Sequence, residues 1–228
     1  PNVQRSEEFS GGKRARIMVD RCTACGTCAD VCRFDAVRSN GLPGERAERT
    51  YCIDPTVCEG CGVCAWFCPQ EAVDFAPAIN GEWYVSRTRY GSMVHAKLGI
   101  AEENSGKLVS IVRKEARRLA SENGARLVLV DGSPGIGCPV IASITGADLV
   151  LVVTEPTVSG LHDLGRVAEL TRHFRIPTMV CVNKWDLNPE MAVAIEDEAR
   201  TRGLLLAGRA RYDRAVTDAQ IQKRAVVE

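Results

Sequence analysis

Two cysteine runs carry the most specific chemistry in this sequence. Cys22, Cys25, Cys28 and Cys32 are spaced C-x2-C-x2-C-x3-C, and Cys58, Cys61, Cys64 and Cys68 repeat that spacing at an offset of 36 residues. Three thiolates on one tight loop can hold three irons of a cubane, with the fourth supplied by the other run. That exchange predicts one [4Fe–4S] cluster on Cys22, Cys25, Cys28 and Cys68, and a second on Cys58, Cys61, Cys64 and Cys32. Pro69 follows the last cysteine of the second run as the pattern expects, whereas Arg33 stands at the equivalent place in the first. Zinc usually takes well-separated C-x2-C pairs, so four cysteines in one short run favour two cubanes.

The remaining cysteines and the histidines add little. Cys52 has no mate in the repeat and reads as a free thiol, Cys181 lies in an apolar strand, and Cys138 sits in a glycine-rich loop, where a structural role is favoured. His95, His162 and His173 show no ligand spacing with one another and read as structural or solvated.

A second set of residues suggests nucleotide chemistry. The apolar stretch 127–130 runs into Asp131-Gly132-Ser133-Pro134-Gly135-Ile136-Gly137-Cys138. An acid at the carboxyl end of a buried parallel strand is placed to hold Mg²⁺ through water, and the glycines let backbone approach a phosphate. A plain strand-to-helix turn would need the same glycines, and both readings stay open on this segment. A dinucleotide site with Glu155 on a ribose is weak, because the glycines run G-x-x-G-x-G and Pro134 interrupts them. Further on, Asn183-Lys184-Trp185-Asp186 has the N-K-x-D form of a base-reading loop, or of a polar turn between strand and helix. A phosphate loop of the form G-x-x-x-x-G-K-[ST] is absent: Ala101 and Leu108 stand at required positions around Gly106-Lys107.

The elements that must position these groups follow from periodicity. Residues 82–86 suggest a strand, and Ser105 is placed to cap a helix from Gly106 to about Glu122, with Leu108, Ile111, Val112, Ala116 and Leu119 on one face. Strand-like runs at 127–130, 149–153, 178–182 and 204–206 alternate with helical stretches at 140–145, 161–174 and 189–202. Asn188 caps the last of these, with Pro189 at its first position. Such alternation predicts an α/β fold whose mostly parallel sheet is covered on both faces, with a cysteine-rich domain near the start.

Composition agrees. In 228 residues, Lys+Arg 29 balance Asp+Glu 29, which removes any global electrostatic case for nucleic acid or an acidic membrane. The longest apolar runs are strand-sized and cannot span a bilayer. Of 11 cysteines, nine fall between Cys22 and Cys68 in otherwise ordinary globular sequence, which suits metal ligands in a reducing compartment and hence a cytoplasmic protein.

With these residues in view, the sequence resembles the MinD/ParA-type P-loop ATPases that carry an inserted dicluster ferredoxin domain. The resemblance rests on residues 32–36 and 58–64, on 103–109 and 131–140, and on 154–164 and 182–188. It implies an incomplete SIMIBI-type ATPase fold in three parts: 1–15 as a remnant of the ATPase, 16–78 as the dicluster domain, and 79–228 as the later part of the ATPase. It further implies that the chain starts just after a K-G-G-x-G-K-T loop and stops before the family's last helix, so that it is a fragment inactive on its own. Carried over, Asp131 is the Mg²⁺-water ligand, Gly132, Pro134 and Gly135 form the switch near the γ-phosphate, and Asn183 and Asp186 contact the base of ATP. Tyr212 matches the family's adenine-side Tyr without the Pro that precedes it there. The expected function is an ATP-binding iron–sulfur protein, working as a homodimer, that passes electrons to a redox partner. The alternatives are a scaffold that hands clusters to a client metalloprotein, and a ferredoxin-like module on an inactive nucleotide fold.

Overall fold

A computed structural model describes residues 2–40, 43–99 and 106–227. The chain divides into two units, Pro1–Val130 and Asp131–Glu228. In the first, β1 (Asn2–Phe9) and β2 (Gly12–Ile17) are separated by a turn in which the Gly11 amide donates to Asn80 Oδ1 at 2.8 Å. The cysteine-rich segment follows: α1 (Thr27–Asp30), β3 (Val37–Ser39), β4 (Tyr51–Ile53), α2 (Val63–Trp66) and β5 (Val73–Ala78). Antiparallel pairing of β2 with β5 and of β3 with β4 ties the two halves together.

The repeat is visible in the backbone. Ala24 and Gly60 (φ 56° and 62°), Gly26 and Gly62 (84° and 77°), and Asp35 and Glu71 (52° and 47°) all turn left-handed at the 36-residue offset. Glycine is required at Gly62, because a Cβ there would lie 2.8 Å from Phe75 Cε1, besides the cost of left-handed backbone.

Next come β6 (Gly81–Thr88), β7 (Gly91–Leu98) and α3 (Lys107–Glu122). The sheet order is β1-β6-β7, all antiparallel, so residues 1–15 contribute one strand to this sheet and another to the cysteine-rich segment. Phe9, Trp83 and Leu108 form its buried core, with Ile111 and Val112 of α3 packed against them. The helix face expected from periodicity is therefore the one that packs. Gly106 stands at the cap position; the expected cap, Ser105, lies outside the described residues. By contacts β6, β7 and α3 belong to the first unit.

The second unit has α4 (Cys138–Ile144), β8 (Val150–Thr154), α5 (Val158–His173), β9 (Thr178–Asn183), a 3-10 turn at Trp185–Leu187, α6 (Pro189–Thr201), β10 (Leu205–Ala210) and α7 (Arg214–Ile221). Strand order is β10-β9-β8, all parallel. Thr157 and Asn188 cap α5 and α6, accepting from the amides of Gly160 at 3.0 Å and Met191 at 3.1 Å. The core is aliphatic: Leu164, Val180, Val182, Ala192, Ile195 and Ala199 are at most 1% exposed.

Two expectations are corrected here. Among the described residues the sheet is covered on one face, and Leu151, Val153 and Leu205 stay exposed on the other. The chain steps in one direction from β8 through β9 to β10, so right-handed crossovers put α5 and α6 on the same side. Residues 127–130 form no strand, and Leu127 and Leu129 are 77% and 90% exposed. Strand-forming residues hold that conformation through a ladder, and no described strand pairs with this stretch.

Candidate iron–sulfur site

The loops that carry the cysteines are held by turns on either side of α1 and α2. Each one-turn helix starts at a left-handed glycine, Gly26 or Gly62. The carbonyl of Lys13 fits so closely against Gly60 that a Cβ there would come within 2.2 Å of it. One ring covers each loop: Tyr51 Oη lies 3.3 Å from a Cβ placed on Gly26, and Phe75 lies against Gly62, with Lys13 Nζ 5.3 Å from the Phe75 ring centre.

Two recesses result, of about 320 and 340 Å³ including their open mouths. Cys22, Cys25, Cys28 and Cys68 line the first, and Cys32, Cys58, Cys61 and Cys64 line the second. Their apolar walls exchange in the same manner: Ile17 and Val73 stand in the first, Val37 and Ile53 in the second. Each recess thus takes three sulfurs from one run and one from the other.

Electrostatics groups the sulfurs identically. Burial pushes the Cys28 thiol up to about 11, with Cys22, Cys25 and Cys68 adding to it. Burial also raises Cys64, with Cys58, Cys61 and Cys32 contributing. Four thiolates crowded this closely resist ionising together unless cations lie between them, which is the donor set an iron–sulfur cubane fits. Among the described residues no three His, Cys, Asp or Glu side chains are grouped to hold a single metal ion; a cubane needs no such convergence, because each thiolate binds its own iron.

Sequence reasoning did not single out the polar groups at these sulfurs. Thr27 Oγ1 lies 3.4 Å from Cys25 Sγ, and hydrogen bonds from Thr27 and Thr23 hold the Cys25 thiol below its ordinary range. The Ala72 amide donates to Cys68 Sγ at 3.2 Å. A comparison of the two runs could have found the first of these, since Thr27 stands where the second run has Val63. Cys52 is exposed on β4, outside both recesses; Cys138 is exposed and Cys181 half-buried. His95 has a structural partner, Ser86 Oγ at 2.9 Å, and stacks on Tyr84.

The residues expected at a nucleotide lie in the second unit on separate loops. Asp131, Gly132, Pro134 and Gly135 are exposed ahead of α4, with Gly135 at φ 88°. Asn183 ends β9, and Asp186 Oδ1 accepts the Tyr212 amide at 2.7 Å, tying the loops after β9 and β10. Lys184, at φ 53°, donates to Glu155 at 2.6 Å, so its ammonium is engaged with the end of β8. No hydrogen bond joins the Asp131 loop to the Asn183 loop among the described residues.

Residues 21–72 match the family described as a 4Fe-4S dicluster domain. The cysteine-rich segment is such a domain. The match takes in all eight repeat cysteines, and the chain joins this dicluster domain to an α/β unit with a parallel sheet. The chain is similar to the uncharacterized protein MJ0578 of Methanocaldococcus jannaschii, 31% identical over 74% of this chain and 55% of the relative. A second protein of that organism, MJ0579, is 25% identical over 58% of this chain and 46% of the relative. A ferredoxin:CoB-CoM heterodisulfide reductase subunit of Methanosarcina acetivorans is 35% identical over 28% of this chain and 10% of its own length. The chain spans about half the length of the first two of these curated relatives. Among solved structures, the MinD cell division protein of Aquifex aeolicus is similar over 63% of this chain and 60% of that one (20% identity, TM-score 0.47). The cell division ATPase MinD of Pyrococcus furiosus is similar over 54% and 50% (15% identity, TM-score 0.44). Among the described residues no helix is long and apolar enough to cross a membrane.

Proposed function

We propose that the protein to which this chain belongs is an ATP-binding iron–sulfur protein that holds two [4Fe–4S] clusters for electron transfer. The observation that carries this reading is the exchange of the fourth cysteine between two equal recesses. A [4Fe–4S] cluster supplies a one-electron store that changes charge with little rearrangement. This chain's part is to bind and insulate it. Cys22, Cys25, Cys28 and Cys68 would hold one cluster, and Cys58, Cys61, Cys64 and Cys32 the other. Ile17, Val73, Val37 and Ile53 keep water from the buried side, while exposed Cys25 and Cys61 mark where electrons enter or leave. Similarity to a ferredoxin-linked reductase subunit supports redox cycling over delivery of clusters to a client.

The nucleotide reading rests on the family resemblance of the sequence. Asp131 would hold the Mg²⁺-bound water, with Gly132, Pro134 and Gly135 beside the γ-phosphate, and Asn183 and Asp186 would contact the base. ATP would close a homodimer and alter how the clusters meet a redox partner.

The test is metal content after anaerobic reconstitution of the chain. About eight irons and eight sulfides are expected per chain. Cys68→Ala should remove the cluster of the first loop and Cys32→Ala that of the second, each leaving about four irons. Stoichiometric zinc with no paramagnetic signal after reduction refutes the cluster reading. In the longer protein, Asp131→Ala should lower Mg²⁺-dependent ATP hydrolysis without changing iron content.

A further inference from the structure

The two recesses are alike in volume and differ in the polar groups at their sulfurs. In the first, Thr27 Oγ1 lies 3.4 Å from Cys25 Sγ. In the second, Val63 replaces Thr27 with nearly the same shape and no hydroxyl, and Glu59 replaces Thr23. Tyr51 lies against the first loop and Phe75 against the second, Phe34 also lines the second recess, and Cys25 and Cys61 are both exposed, so the two sulfurs that differ in their hydroxyl neighbour both face solvent.

An iron-bound cysteine has no proton on sulfur, so the Thr27 hydroxyl must be the donor. Reduction adds one negative charge to a cluster and spreads part of it onto its thiolates, which strengthens any hydrogen bond donated to them. A donor at one sulfur therefore favours the reduced cluster at that site. Charges do not cancel this preference. The Glu59 carboxylate beside the second loop opposes reduction there, and Lys13, near Phe75, opposes Glu59. Both are on the solvent side, where screening leaves them weak.

We infer that Thr27 is a positioning residue that makes the cluster at Cys22, Cys25, Cys28 and Cys68 the higher-potential site, so that an electron entering the domain rests there first. This rests on the two-cluster reading above. A low-potential one-electron donor is oxidised, one [4Fe–4S]²⁺ becomes [4Fe–4S]¹⁺, and no bond or proton changes hands. The second site then passes electrons toward the first, and the Thr27/Val63 difference sets the direction.

The test is a redox titration of the reconstituted full chain, followed by paramagnetic resonance. Two resolved one-electron steps are expected. Thr27→Val should lower the upper step by about tenfold in its equilibrium, which is 59 mV for one electron, and leave the lower step in place. Thr27→Ser, which keeps the hydroxyl, should retain the wild-type potential. Val63→Thr should raise the lower step and narrow the gap, which gives a readout independent of the Thr27 variants. Coincident steps in the wild type, or a Thr27→Val change that moves only the lower step or neither, overturns the inference while leaving the two-cluster reading intact. A chain that takes up no iron overturns that reading and the inference together.

Discussion

The dicluster domain and the α/β unit place their chemistry oppositely with respect to their cores. In the dicluster domain the candidate ligands are part of the core: Cys22, Cys28 and Cys64 are buried in one cluster with Ala15, Ile17, Ala72 and Val73. In the α/β unit the fully buried cluster is aliphatic, and Asp131, Gly135 and Asp186 stand outside it, on the stretch before α4 and in the 3-10 turn after β9. With clusters bound as proposed, binding and folding would be one process in the first region, since metal affinity there would be folding free energy. In the second they are separable, because the sheet and its two helices close their core without any ligand.

Three measurements test that contrast. Ile195, fully buried under the parallel sheet, has no role at the sulfurs. Ile195→Ala should cost about 2–5 kcal/mol of stability in denaturant unfolding. Iron per chain should stay unchanged. A loss of iron would mean that the two regions fold as one and would break the comparison.

The next effect is smaller and lies on the ligand side. Gly62→Ala forces a side chain into left-handed backbone, at about 1–2 kcal/mol, and against the Phe75 ring. Gly26→Ala meets only Tyr51 Oη at 3.3 Å. Iron loss on mild chelation should be faster in Gly62→Ala than in Gly26→Ala, and should come from the second loop. Equal rates for both variants would show that the backbone turn alone, without the ring, decides retention.

The smallest effect concerns pH. Glu196 lies inside the α/β unit, where Arg209 donates to both its oxygens at 2.5 and 2.8 Å, and Arg200 lies nearby. The Arg209 hydrogen bonds hold its carboxyl below the ordinary value of 4.5. A depressed carboxylate contributes stability above its unfolded value and loses it as pH falls through the folded one. Wild type should therefore exceed Glu196→Gln near neutrality, by about 1 kcal/mol at most, with the difference shrinking as pH falls below the ordinary carboxylate range and the carboxyl takes up its proton. Iron content should not follow this titration. A constant difference across that range would show that shape, and not charge, makes Glu196 useful.

How much was legible differs between the regions for the same reason. The cysteine ligands repeat within runs of eleven residues, and the left-handed turns at Gly26 and Gly62 are local, so spacing alone paired the sulfurs that the recesses bring together. The helix α6, its Asn188 cap and the alternation of β8, β9 and β10 with helices were legible too, because periodicity and capping are properties of short segments. The antiparallel sheet β1-β6-β7 was not. Residues 82–86 did announce β6, but β1 pairs with it across some seventy to ninety residues and is almost entirely exposed, so β1 carries no apolar alternation to read. Residues 127–130 failed in the opposite sense, since their apolar run promised a strand and no described partner supplies its ladder.

The sequence by itself determined the spacing of the candidate ligands, the three-plus-one grouping of their sulfurs and the α/β alternation, because each follows from local spacing or periodicity. Only the tertiary structure decided which face of the parallel sheet is covered, that Asp186 accepts the Tyr212 amide, and that Thr27 reaches Cys25 where Val63 has no hydroxyl. Those depend on crossover handedness and on distances between side chains, which emerge only once the backbone has closed on itself.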